Sequence, residues 1–192
     1  MRSLVPPVVR AFVAVEVPPP SGDSRRAAAP EHLTLVFLGE IPRERVETIA
    51  GALGPVAATV APFYATLEGV GAFPSAERPR VVWLGVREGH DELVRLANGV
   101  RDALAGEGDP SRRESSFSAH LTLFRVRSSN DARRAHELLS GIVPAPASRR
   151  FRVGEFVLKE SELSPRGATH RTVRAFPLGA AAGGENARAP EP

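Results

Sequence analysis

The tetrad His-Leu-Thr-Leu occurs twice in this chain, at His32–Leu35 and at His120–Leu123. Strict polar–apolar alternation is the period of a half-buried β-strand, not of a helix. In each copy the two leucines share one face and can anchor the strand to a core. The histidine and the threonine share the other face. A fold that carries both copies must bury one side of two separate strands and leave two imidazole–hydroxyl pairs accessible. Two α+β lobes facing each other across a cleft meet that demand.

The flanking sequence supplies the rest of such lobes. Arg10–Val17 alternates and is rich in β-branched residues, which predicts a strand that Pro18–Pro20 end. Pro20–Glu31 reads as a loop, and His32–Gly39 as a strand stopped by Gly39. Ile41–Ala58 reads as a helix, with Pro42 in its first turn and Val46, Ile49, Ala50 and Leu53 at helical spacing. Phe63–Phe73 and Arg80–Val86 are two further strands. Asp91–Ala105 is a second helix with Leu93, Leu96, Ala97, Val100 and Leu104 on one side, stopped at Gly106. A polar loop, Glu107–Ser116, leads to the second tetrad strand, Phe117–Arg127. Asp131–Ser140 is a short helix capped by Ser129 or Asn130. Arg150–Leu163 reads as one strand with a bulge at Gly154, where the alternation changes phase. Thr169–Leu178 is the last strand. The order β, β, α, β, β, α, β, α, β, β is a weak internal duplication, with one tetrad in each half.

Residues 1–178 therefore read as one bilobal domain, and 179–192, rich in Ala, Gly and Pro, as a disordered tail. The chain has no cysteine, which excludes disulfides and thiolate metal sites and suits a reducing cytosol. Arg10 and several prolines interrupt the apolar start, so it makes a poor signal peptide. No apolar run reaches the roughly 18 residues of a membrane span. A cytoplasmic protein without membrane contact is expected, and a monomer. Lys159 is the only lysine among 25 basic residues. An arginine excess fits an anionic partner, because the guanidinium fork matches phosphate; genomic codon bias explains it equally well.

The tetrads carry the chemistry. Imidazole, with an ordinary pKa of about 6.5, suits proton transfer near neutrality. Two of them can divide the work: one, neutral, takes a proton from water, and the other, charged, gives one to a leaving oxygen. Thr34 and Thr122, short and stiff, can hold the non-bridging oxygens of a phosphoryl group. Arg125 would add a charge-assisted contact. It differs from Thr122 by an odd number of residues, so a regular strand sends it to the opposite face. A bulge or strand end near Phe124 is needed to bring it inward. This division of labour needs neither metal nor nucleophilic side chain, and a cyclic phosphodiester is a fitting substrate. A metal held by His32 and His120 would lack further ligands at suitable spacing.

With these residues in place the chain resembles the two-histidine (2H) phosphoesterase superfamily, in its RNA 2′,3′-cyclic phosphodiesterase (2′-5′ RNA ligase-like) branch. The resemblance rests on two H-x-T-x motifs with apolar x, His32–Leu35 and His120–Leu123. Its flanks are Arg10–Ala14, Phe37–Glu40, Gly71–Pro74, Arg80–Leu84, Arg125, Phe156–Leu158 with Ser161 and Leu163, and Phe176–Leu178. It implies a bilobal α+β fold of two pseudo-symmetric lobes of antiparallel strands, with outer helices and a central V-shaped cleft. The implied reaction is metal-independent hydrolysis of RNA or nucleotide 2′,3′-cyclic phosphate ends to 2′-phosphates, with no cofactor. By position His32 would be the proton donor and His120 the proton acceptor; the sequence itself leaves those two roles interchangeable.

Two departures stand out. Only Pro19–Glu31 separates the first strand from the first tetrad, where the family has an amphipathic helix. His170 stands where an aromatic residue, often tyrosine, is common. Phe12 is a candidate for stacking on a base, with core packing as its alternative. Arg112 and Arg113 can meet phosphates or simply be solvated. His90 and His136 carry no expected role. The alternatives to the hydrolase are a non-catalytic RNA-end or nucleotide-binding module, and a phosphodiesterase acting on 2′-5′ linkages or small cyclic phosphates.

Overall fold

A computed structural model describes residues 7–19, 31–105, 117–164 and 167–179. Its strands are β1 (Val8–Val17), β2 (Glu31–Pro42), β3 (Phe63–Phe73), β4 (Val81–Val86), β5 (His120–Arg125), β6 (Arg149–Val153), β7 (Glu155–Ser164) and β8 (Gly167–Pro177). The helices are α1 (Val46–Thr59), preceded by a 3-10 turn at Arg43–Arg45, α2 (His90–Ala103) and α3 (Ser129–Leu139). The strands form one antiparallel sheet in the order β6-β3-β4-β5-β2-β1-β7-β8. Read outward from its middle, the sheet is two four-stranded halves, β5-β4-β3-β6 and β2-β1-β7-β8, meeting tetrad strand to tetrad strand. The expected bilobal α+β architecture is thus present, and among the described residues the tetrad strands meet at one bridged pair, Leu33 opposite Leu121.

Both halves are closed by a shared core. Ala11, Val13, Val15 and Val17 of β1, the tetrad residues Leu33, Leu35 and Leu121, and Leu67 and Leu84 pack on one face of the sheet. Against them lie the apolar sides of α1 (Val46, Ile49, Ala50, Leu53) and α2 (Leu93, Leu96, Ala97, Val100), the spacings read from the sequence. The opposite face of β1 carries a separate small cluster of Phe12, Ala14 and Val157. The helices cover one face, so the other can open as a cleft. None of the helices described is long and apolar enough to cross a membrane.

The structure corrects several boundaries. Gly39 does not stop β2; the strand continues to Pro42 through a bulge, because Ala11 pairs with Gly39 but Phe12 with Phe37. Gly39 takes φ 73°, a conformation that glycine adopts freely. Ile41 consequently belongs to the strand, and the helix begins later, at Val46. The second tetrad strand is shorter than expected and starts at His120 itself. Ser128, not Ser129 or Asn130, caps α3: its hydroxyl accepts from the Asp131 N–H at 3.2 Å, and the Asp131 carboxylate accepts from the Ser128 N–H at 3.0 Å. That reciprocal pair is a capping box closed by Asp instead of Glu.

Gly154 is not a bulge within one strand. It separates β6, which pairs with β3, from β7, which pairs with β1 and β8 in the other half. The phase change seen in the sequence is the chain crossing from lobe to lobe. The expected loops at 20–30 and 106–116, with Gly106, Arg112 and Arg113, and the tail beyond Gly179 lie outside the described residues.

Gly71 illustrates how closely the second lobe is built around its cleft. It sits opposite Trp83, and a Cβ added there would lie 2.2 Å from the indole. Trp83 in turn contacts Phe73 and His120. Gly71→Ala should therefore displace the indole and destabilise the fold by about 1–3 kcal/mol, the usual range for overpacking. Thermal unfolding of the variant measures this; an unchanged Tm would show that Trp83 moves aside without cost.

Candidate active site

Residues opposite one another in an antiparallel pair point to the same face, so register alone shows which side chains share the cleft. Phe12, Ala14 and Glu16 alternate on one face of β1. Their partners on β2 are Phe37, Thr34 and His32. On β4, Val81, Trp83 and Gly85 share a face, and their partners on β5 are Arg125, Thr122 and His120. Leu33 and Leu121, bridged across the lobes, both point into the core and are 0% and 2% exposed. His32, Thr34, His120 and Thr122 must then all leave the sheet on the opposite side.

They do, around one cavity of about 850 Å³ that His32, Thr34, His120, Thr122 and Arg125 all line. Extending the Leu33–Leu121 register places His32 across from Thr122 and Thr34 across from His120. The two histidines lie on a diagonal about the Leu33–Leu121 bridge. Each imidazole thus has a threonine hydroxyl beside it on the cavity wall.

Arg125 reaches this face by the device the sequence required. Trp83 pairs with Thr122 but Val82 with Phe124, so Leu123 is an extra residue that reverses the alternation. β2 has the same bulge at the same tetrad position: Ala14 pairs with Thr34 but Val13 with Val36, leaving Leu35 unopposed. Each bulge turns inward the residue five beyond the histidine. On β5 that residue is Arg125, and on β2 it is Phe37, 46% exposed at the cavity wall. Sequence reasoning missed Phe37 as a site residue. The repeated spacing was the signal that could have found it, since a bulge required for Arg125 applies equally to its duplicate.

Phe12 takes the packing alternative. It is 3% exposed, does not line the cavity, and presents no face to a base. Instead it backs His32, with ring centroids 5.0 Å apart, and touches His170 and Phe37 at 5.0 and 6.1 Å. His170 lines the cavity and meets His32 edge-on at 5.1 Å. Burial, and to a smaller extent the charge of Lys159, push the His170 pKa down. Across the cavity Phe73 meets His120 edge-on at 5.0 Å, with Trp83 at 6.1 Å. Each tetrad histidine is thus braced by two rings.

His120 Nδ1 lies 2.7 Å from the Ser118 carbonyl. A carbonyl only accepts, so Nδ1 carries the proton and the neutral ring keeps its lone pair on Nε2. The cavity rim is tied across the lobes by the ion pair of Glu31 (β2) with Arg149 (β6). Among the described residues no three His, Cys, Asp or Glu side chains are disposed to hold a metal ion. His90 pairs with Asp91, outside the cavity, and His136 lines a separate open depression with Arg78 and Arg80.

The model of the 2′-5′ RNA ligase superfamily matches residues 5–164 of this chain. An RNA 2′,3′-cyclic phosphodiesterase of Archaeoglobus fulgidus is 42% identical over 79% of this chain and 82% of its own length. That of Aquifex aeolicus is 32% identical over 77% and 78%. Among solved structures, a Thermus thermophilus protein superposes with a TM-score of 0.67 and 27% identity, covering 88% of this chain and 98% of its own. Escherichia coli LigT in complex with 3′-AMP gives 0.66 and 27%, over 90% and 99%.

The cavity wall carries the guanidinium groups of Arg101 and Arg125 and the hydroxyls of Thr34 and Thr122, groups that suit an anion. Inorganic phosphate, followed by NMR shifts of the cavity residues, should bind. Arg125→Ala should weaken it roughly 10-fold or more, the scale of a lost charge-assisted hydrogen bond. Thr34→Val and Thr122→Val should weaken it less. Equal affinity in all four proteins would remove these side chains from the anion site.

Proposed function

Since the chain belongs to the 2′-5′ RNA ligase superfamily, we propose that it hydrolyses RNA 2′,3′-cyclic phosphate ends to 2′-phosphates with His32 as acid and His120 as base. The observation that carries this is the single bridge Leu33–Leu121, which puts both His/Thr pairs on one wall of one cavity. The names of the relatives supply the substrate class, and their coverage of most of the chain supports its transfer.

The geometry performs the reaction in one displacement. Thr34, Thr122 and Arg125 bind the non-bridging oxygens and neutralise charge that builds on them. His120, its Nδ1–H held by the Ser118 carbonyl, takes a proton from water at Nε2 as the water oxygen bonds to phosphorus. The bond from phosphorus to O3′ breaks on the opposite side, and protonated His32 delivers its proton to O3′. The phosphate stays on O2′. His32 ends neutral and His120 charged, and exchange with solvent resets both. Phe37, exposed at the wall beside His32, offers its ring to the terminal base.

Both proton transfers are assigned to imidazoles, so chelator should leave the rate unchanged. His32→Ala and His120→Ala should each reduce turnover by roughly 10²–10⁴. The deciding assay incubates an oligonucleotide ending in a 2′,3′-cyclic phosphate with the protein in chelator and identifies which oxygen keeps the phosphate. A 3′-phosphate product would reverse the placement of the leaving oxygen. Tight binding without product would leave a binding module instead of an enzyme.

A further inference from the structure

The two halves of the site are near-duplicates, yet the reaction needs one imidazole charged and the other neutral. The register shows where they differ. The residue directly opposite His120 on its neighbouring strand is Gly85. The residue directly opposite His32 on its neighbouring strand is Glu16. A carboxylate stands at the register position opposite one histidine, and a glycine, with no side chain, at the one opposite the other.

Glu16 is fixed in place by groups from two further strands. Lys159 of β7 donates to its Oε1, Thr172 of β8 donates to the same oxygen at 3.1 Å, and Lys159 also donates to Thr172 Oγ1 at 3.1 Å. Lys159, the only lysine of the chain, is 2% exposed. The pair is a poor stabiliser, because desolvating the buried ammonium offsets much of its Coulomb energy. Its position behind a reacting imidazole gives it another use. Burial tends to raise the Glu16 pKa, but the hydrogen bond and charge of Lys159, the Thr172 hydroxyl and the charge of His32 outweigh it and keep the carboxylate ionised.

We propose that Glu16, held by Lys159 and Thr172, is a positioning residue that makes His32 rather than His120 the proton donor. The inference rests on the hydrolytic reading above. Glu16 acts through His32 and touches no reacting atom. Its carboxylate stabilises the imidazolium and orients the ring against Phe12. His170, edge-on to His32, has its pKa pushed down by burial and by the charge of Lys159, which weakens its claim on the proton. Among the described residues the other charges about the cavity are Lys159, bound to Glu16 itself, Glu31, paired with Arg149, and Arg101 and Arg125 on the wall. The cations disfavour a charged His32, so Glu16 is the group that tips the balance.

The test is an NMR titration of His32 and His120 in the full chain, in Glu16→Gln and in Glu16→Gln/Lys159→Met. The double variant removes both charges together and so guards against a fold lost to a buried, unpaired Lys159. In Glu16→Gln the His32 midpoint should fall by about one unit or more, and in the double variant by less because a cation is removed as well, while that of His120 stays put in both. In the cyclic phosphate assay the alkaline limb of the rate profile should move down by the same amount, with kcat on that limb falling about tenfold per unit and KM little changed. Glu16→Asp should recover part of the shift. A His32 midpoint unmoved by Glu16→Gln, or an equal movement of both histidines, overturns the proposal. The titration needs no turnover, so a protein inactive on cyclic phosphates would refute the hydrolytic reading while this result still stood or fell by itself.

Discussion

The pairing of Leu33 with Leu121 is the constraint on which the site depends. It is a contact between two core leucines, remote from any chemistry. Because side chains alternate along a strand, fixing those two inward fixes His32, Thr34, His120 and Thr122 outward. A slip of one residue in either strand would bury its histidine and threonine and expose its leucines. The cost of exposing two buried leucines, about 1.5–3 kcal/mol each, therefore also defends the register of the two His/Thr pairs. The core beneath both halves is one cluster, so neither lobe can shift register without disturbing α1 or α2.

Duplication of the strands extends to their defects. Both tetrads are followed by a bulge at the second leucine, Leu35 and Leu123, and both bulges bring the fifth residue past the histidine into the cavity. A bulge twists and bends a strand, which lets the halves diverge from a single bridge into a cleft. The scaffold is thus symmetric and its decoration is not. An aromatic ring, Phe37, stands at one bulge and a guanidinium, Arg125, at the other. Glu16 faces one histidine and Gly85 the other. A cyclic phosphate carrying a base on one side and charge on phosphorus has the same inequality.

Much of this was legible in the sequence, for physical reasons that also mark the limit. Alternation and helical spacing are local, so the buried sides of α1 and α2 and the two faces of the tetrads could be read directly. The need for a bulge near Phe124 followed from parity. Pairing partners are not local. Nothing near Gly154 shows that β6 and β7 serve opposite lobes, because a phase change looks the same for a bulge and a crossover. Phe12 illustrates the same limit: its alternation places it on the cleft face, but only the packing of Phe37, His170 and Val157 around it shows that it is covered. The Glu16–Lys159–Thr172 triangle joins residues far apart in sequence, and no spacing announces it.

That triangle also bears on how a duplicated site acquires direction. Two identical imidazoles bracketing one phosphorus could in principle run the displacement from either side, and each would spend part of its time in the wrong protonation state. Aromatic bracing does not separate them, since each has two rings about it at similar distances. The Ser118 carbonyl fixes a tautomer on His120 but is dipolar, and favours a charged ring far less than a full carboxylate does. Only a net charge placed on one side distinguishes acid from base strongly, and an ionised carboxylate on this half-buried wall must itself be held by a cation. Lys159 of β7 is that cation, bonded to the Glu16 carboxylate. The cost of desolvating its ammonium falls on the stability of the β1–β7–β8 half, and the asymmetry it sustains appears at His32.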